Sequence, residues 1–263
     1  MHPILFHIGT TIPVYSYGLL IALGAIAGVA YMAVRGKDEM GLSFDQANSL
    51  FLFIFIAAFV GGKVFLFFEN IRFYSQDPLK LLTGSGFVFY GSFLFAIPTM
   101  LLFFRKHRLP TYAMLDVMAV TTCLVHIFGR MGCFLAGCCY GKPTHSIFGV
   151  RFTNEASQAR PLMTPLHPSQ LYEAVYIFFV MLILLSLRKR RKFYGQLFLL
   201  YMLLYAFGRF FLEYLRGDSA RGFVVDNYIS HSQFVAMLIL LTVGFVYWKL
   251  SERNDVRLFK KPI

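Results

Sequence analysis

Two arginines, Arg130 and Arg209, lie within stretches of the sequence that are otherwise apolar. Each has residues nearby that could hold it or work with it. Glu213 follows Arg209 by four positions, and Glu173 follows His167 by six. Tyr17 and Tyr90 open two further apolar runs, and Lys63 lies within another. Ionisable side chains inside a membrane helix are costly and mark functional positions by default. A guanidinium presents a planar fork of donors that matches two phosphate oxygens at once, which the point charge of a lysine does not. Gly129, Gly132, Gly137 and Gly141 surround Arg130 and let backbone approach a ligand closely. The chemistry suited to this set is the grip of an anionic phospholipid headgroup. The plainer reading is that Arg209 and Glu213 only pair with each other along one helix face, while Arg130 snorkels from a helix end.

The elements that must carry these residues are membrane helices. The chain of 263 residues is 57% hydrophobic and 14% charged, whereas a soluble domain carries about a quarter charged residues. Its 31 Phe suit lipid-facing surface. Seven runs approach the roughly 20 apolar residues a bilayer core requires. They cover about 14–34, 46–68, 86–104, 112–130, 170–187, 195–215 and 229–248. Such lengths exclude barrel strands, and lipid obliges each run to satisfy its own backbone as a helix. No repeat with a period of 20 to 50 residues is present. The start, MHPILFHIG, has no basic region, so the first run is expected to be retained rather than cleaved as a signal peptide. Trp248, the sole tryptophan, closes the last run as an interfacial anchor would.

The basic residues give an orientation. Arg35 and Lys37, Arg105, Lys106 and Arg108, the run Arg188 to Lys192, and Lys249, Arg253, Arg257, Lys260 and Lys261 all follow alternate runs. The opposite face has only Arg72, Lys80, Lys142, Arg151, Arg160, Arg216 and Arg221. The positive-inside rule therefore predicts an external amino terminus and a cytoplasmic carboxyl terminus. The net charge of +12 is distributed as a topology signal, not as a nucleic-acid face. The expected fold is one all-α, seven-helix membrane domain over residues 1–263. A long outward segment at 131–169 is rich in Gly, Cys, Thr, Pro and His, and loops of that length are usually functional. In this topology Arg130, Arg209, Glu213, Glu173, Tyr17 and Tyr90, with Lys63, fall near one depth toward the outer face.

The tract HIFGRMGCFLAGCCYGKPT (126–144) resembles the signature of the bacterial phosphatidylglycerol–prolipoprotein diacylglyceryl transferases. VYSYGLL near the start, GFVFYGSFLFA (86–96), HPSQLYEA (167–174) and GRFFLEYLRGD (208–218) resemble further family blocks in the same order. The resemblance implies an enzyme of the bacterial cytoplasmic membrane that acts on its outer side. Its substrates would be phosphatidylglycerol and prolipoproteins whose signal peptides end in a lipobox cysteine. The diacylglyceryl group would pass to the cysteine thiol, forming a thioether and releasing glycerol 1-phosphate, with no metal or organic cofactor. By the same resemblance Arg130 matches the headgroup-binding arginine and Arg209 a second essential arginine, both expected to hold the phosphate and stabilise its charge as it leaves, and Tyr17, His167, Glu173, Glu213 and Arg216 fall on family positions.

The chain departs from the best-known pattern in two places. Tyr90-Gly91-Ser92 stands where many members have a histidine and two glycines, and a tyrosine with a pKa of about 10 is a poor base unless a cation lowers it. Tyr90 is therefore expected either to act beside an arginine or to orient the headgroup, while His126 is either a base or a packed helix residue. Cys133 and Cys138 stand where the more familiar form has Asn and Glu. With Cys139 they could be free thiols, a disulfide, or a zinc site that the spacing fits only loosely. Other classes fit less well. A transporter predicts internal repeats and a midplane site, and an intramembrane protease needs a Ser-His or paired-Asp arrangement in facing helices, with no G-x-S-x-G elbow or such aspartates present. Another lipid-modifying transferase is the nearer alternative.

Overall fold

A computed structural model describes residues 2–9, 12–83, 87–217, 222–225 and 228–252. Gly86, Asp218, Arg221 and the tail cations Arg253, Arg257, Lys260 and Lys261, all used above, lie outside the described residues. A hairpin of β1 (Ile4–Ile8) and β2 (Ile12–Tyr15) leads into α1 (Ser16–Met40). There follow α2 (Phe44–Glu69), the short α3 (Ile71–Gln76) and α4 (Pro78–Thr83), then α5 (Phe89–Lys106) and α6 (Thr111–Ala136). The long segment contains β3 (Val150–Arg151) paired antiparallel with β4 (Pro165–Leu166). The described residues continue with α7 (Ser169–Leu187), α8 (Gln196–Leu212), the hairpin of β5 (Phe223–Val225) and β6 (Ile229–Ser230), and α9 (His231–Glu252).

Six of the described helices, α1, α2, α6, α7, α8 and α9, are long and apolar enough to cross a membrane. The seventh expected span, α5, is not among them. It is 18 residues long, its last turn is Arg105 and Lys106, and Pro98 interrupts it, so its apolar stretch falls below the usual 20. A second difference concerns α6, expected to end at Arg130. It continues six residues to Ala136, which leaves Arg130 inside the helix and puts Cys133 on it.

The contacts divide into two compact units, Met1–Tyr31 with Leu115–Ile263, and Met32–Met114. In the larger unit, Ala119, Val120 and Cys123 of α6 are buried with Ile177, Val180 and Leu184 of α7 and Leu197 of α8. Asp116 fixes the end of this packing. Its carboxylate accepts hydrogen bonds from the backbone N–H groups of Gly195 (2.9 Å) and Phe198 (3.1 Å). An anion is thereby placed on the otherwise unsatisfied donors at the start of α8. The segment after α6 has a small core of its own, Phe152, Ala159 and Leu166, covered by Phe134, Tyr140, Val150 and Leu162.

In the smaller unit, α2 begins with a reciprocal capping box. Gln46 N–H donates to Ser43 Oγ, and the Ser43 N–H donates back to Gln46 Oε1. Its packing on α5 depends on two glycines. A Cβ on Gly61 would collide with the carbonyl oxygen of Gly91, and one on Gly91 with that of Gly61. Small residues at such crossings let membrane helices gain dispersion contact that apolar burial does not supply in lipid. Gly61→Ala is therefore expected to destabilise the protein by about 1–3 kcal/mol through overpacking. Gly18→Ala, where a Cβ meets nothing within 4 Å, should leave the thermal midpoint unchanged in the same unfolding scan in detergent.

Candidate active site

The last turns of α6 place His126 and Arg130 on one helix face, four residues apart. Across from them, in the first turns of α7, stands Glu173. Arg130 Nη2 lies 2.8 Å from Glu173 Oε1, and its Nε donates to His126 Nε2 at 3.3 Å. His126 Nε2 is also 3.0 Å from the same Glu173 oxygen. These two partners make opposite demands on one nitrogen. The guanidinium needs a lone pair there, and the carboxylate needs a proton. His126 Nε2 can therefore serve either partner, accepting from Arg130 or donating to Glu173. The Glu173 side chain is 4% exposed, against 15% for Arg130 and 17% for His126. The carboxylate is sealed and the cations are partly open.

The second arginine sits on α8. Arg209 Nη2 is 2.7 Å from Glu213 Oε2, at the 3-10 turn Glu213–Leu215 that extends α8. The same nitrogen donates to Ser232 Oγ in the first turn of α9 at 3.2 Å. Among the described residues Arg209 Nη1 is buried without a hydrogen-bond partner. A buried donor left unsatisfied is costly, so an acceptor arriving there is favoured. Glu173 lies within electrostatic reach of Arg209 as well as Arg130, and Tyr205 within reach of both arginines and Glu173. The Tyr205 ring meets His126 edge-on at 5.5 Å between centroids.

Arg130, His126, Glu173, Tyr205, Arg209 and Glu213 consequently form one polar seam of the larger unit. Its two arginines and two glutamates balance in charge. Tyr17 stands at the seam's edge, within electrostatic reach of Arg130, with its ring packed over Gly132. His167 is placed differently. Its backbone pairs with Gly141 and Lys142, and its Nδ1 meets the Tyr172 hydroxyl at 3.2 Å, not the carboxylates of the seam. Arg216 is buried, and its backbone bridges Gly141. Tyr90 and Lys63 belong to the smaller unit. Tyr90 is 63% exposed in the first turn of α5 against Phe89, and the buried Lys63 extends its ammonium over the Phe59 ring.

Tyr205 and Ser232 were not legible as site residues beforehand. Tyr205 could have been found from its position four residues before Arg209, on the same face as Glu213. Ser232 has no comparable signal. All four cysteines are free thiols.

The model of the prolipoprotein diacylglyceryl transferase family matches residues 3–249. The phosphatidylglycerol–prolipoprotein diacylglyceryl transferase of Clostridium tetani is 36% identical over 94% of this chain and 97% of its own length. The second such enzyme of Clostridium perfringens is 33% identical over 91% of each chain. That of Dehalococcoides mccartyi is 30% identical over 96% of this chain and 95% of its own. With the match running from the amino-terminal hairpin into α9 and spanning every residue of the polar seam, the chain belongs to the prolipoprotein diacylglyceryl transferase family.

Proposed function

We propose that this protein transfers the diacylglyceryl group of phosphatidylglycerol to the lipobox cysteine of prolipoproteins. The observation that carries this is the seam itself: two partly buried, carboxylate-held guanidiniums, one with an unsatisfied N–H, in a chain that matches the family almost throughout. Arg130 and Arg209 bind the headgroup phosphate and stabilise its charge as it leaves. Fixed positive charge in a site shielded from water is commonly the largest catalytic contribution. Glu173 and Glu213 orient the two guanidiniums, and Tyr17 and His167 border the bound lipid.

The incoming cysteine must lose its proton to act as a nucleophile. His126 takes that proton on Nε2, and Glu173 stabilises the resulting imidazolium. The thiolate sulfur then forms a bond to the glyceryl carbon as that carbon's bond to the phosphate oxygen breaks. Diacylglyceryl thioether and glycerol 1-phosphate result, and the proton leaves His126 for solvent. Tyr90, in the smaller unit, is the other residue expected at the chemistry. Tyr90→Phe is expected to lower turnover more than phospholipid binding, and His126→Gln to lower turnover by about 100-fold or more, as loss of a general base does, with phospholipid binding retained. Full turnover in both Tyr90→Phe and His126→Gln would reverse these assignments.

The proposed topology has seven spans, with α5 as the seventh, the amino terminus outside, the carboxyl terminus inside and the seam toward the outer face of the bacterial cytoplasmic membrane. A crossing by α5 is what keeps the basic clusters after α1, α5 and α7 on one side, as the positive-inside rule requires. The activity is tested by incubating the purified protein with phosphatidylglycerol and a lipobox peptide, then weighing the peptide. A gain of one diacylglyceryl unit is expected. An unchanged peptide, together with solute uptake in proteoliposomes, would favour a transporter.

A further inference from the structure

We propose that Cys133, Cys138 and Cys139 form a three-coordinate site for a soft, thiophilic metal ion, with monovalent copper the ion that suits it best. The three Sγ atoms lie within 4.8 Å of one another. A trigonal thiolate site with metal–sulfur bonds of about 2.3 Å needs sulfurs about 4 Å apart. The observed trio is therefore less than 1 Å from closing on an ion.

Sequence spacing alone does not place these thiols together; the local backbone does. Gly137, at φ +79°, turns the chain back at the end of α6, in the left-handed region that favours glycine. The N–H groups of Gly137 and Cys138 both donate to the Cys133 carbonyl, at 2.8 and 3.1 Å. Cys139 is itself left-handed, at φ +57°, an uncommon conformation for a side-chain-bearing residue. The first turn of α7 holds the pair from the other side. Ser169 Oγ donates to the Cys139 carbonyl at 2.7 Å, and Gln170 Nε2 to the Cys138 carbonyl at 2.6 Å. Both side chains are buried. The sulfurs are thus positioned by a fixed framework and not by a free loop.

Charge and donor number select the ion. Thiolates favour Cu(I) and Zn(II) over harder cations. Zn(II) prefers four ligands, and among the described residues no fourth Cys, His, Asp or Glu donor completes the cluster. Each thiol that coordinates releases its proton. Arg130 and Arg216, within electrostatic reach of Cys139, offset the negative charge that several thiolates bring.

The test is an anaerobic titration of the full-length protein in detergent with Cu(I) against a chromophoric chelator, read with sulfur-to-copper absorption in the ultraviolet. One equivalent is expected to bind and to shield three thiols from maleimide. Cys138→Ser should weaken binding at least about 100-fold, the upper end of what supporting residues alone contribute. Cys123→Ala, which changes a thiol in the α6 core, should bind as the unaltered protein does. Thermal unfolding checks that each variant is folded, and the maleimide count on the unaltered protein needs no variant. No bound copper, copper that ignores Cys138→Ser, or tighter binding of zinc in the same titration would each overturn the proposal.

Discussion

Arg130→Lys and Arg209→Lys are each expected to lower kcat/KM for diacylglyceryl transfer by about 100-fold or more, the loss seen when one fixed donor to a developing anion is removed. Membrane insertion and helix content should be retained. Lysine preserves the charge, so the loss isolates geometry. Arg130 uses Nη2 on Glu173 and Nε on His126 at once, and the single nitrogen of a lysine cannot occupy both of those positions and present a fork to a phosphate. Arg209 already spends Nη2 on Glu213 and Ser232, with Nη1 left over for a ligand. The shorter, unforked lysine would keep the internal pair and lose the spare donor. The measurement is steady-state transfer to a lipobox peptide, with far-ultraviolet circular dichroism as the control. Near-normal transfer in both variants would rule out a forked grip on the headgroup.

Glu173→Gln should have the largest effect on stability of any single change in the seam. The carboxylate faces Arg130 at 2.8 Å and His126 at 3.0 Å, almost sealed from solvent. Removing one partner of a buried ion pair costs about 3–5 kcal/mol, because the remaining charge is left uncompensated. Thermal unfolding in detergent should show this as a large fall in midpoint, together with loss of transfer. The double variant Glu173→Gln with Arg130→Gln should recover part of the stability and none of the activity, since it removes the stranded charge. If Glu173→Gln unfolds at the same temperature as the unaltered protein, the carboxylate does not hold the seam together.

The membrane character of the chain was readable because lipid imposes length and composition on every spanning helix. Six of the seven expected runs became helices long enough to cross. The boundaries were less legible. α6 was expected to stop at Arg130, since a charge usually marks a helix end. It continues because Glu173, from another helix, neutralises that charge inside the structure. A tertiary partner of this kind cannot be read from local spacing. Arg209 with Glu213 was visible as a pair four residues apart, but the convergence of α6, α7 and α8 on Tyr205 and His126 depends on how the helices pack. The thiol trio was visible as free thiols, a disulfide or a loosely fitting zinc site, but its convergence was not, because the turn at Gly137 and the clamps from Ser169 and Gln170 set it.

The central claim is that Arg130 and Arg209 hold one headgroup between them. A double-mutant cycle on kcat/KM with Arg130→Lys, Arg209→Lys and the combined variant tests it most directly, because groups that act as a unit give strongly non-additive losses. The combined variant is expected to be no worse than about the poorer single variant. Losses that multiply would mean that the two guanidiniums serve separate sites, and the shared-headgroup account would be wrong.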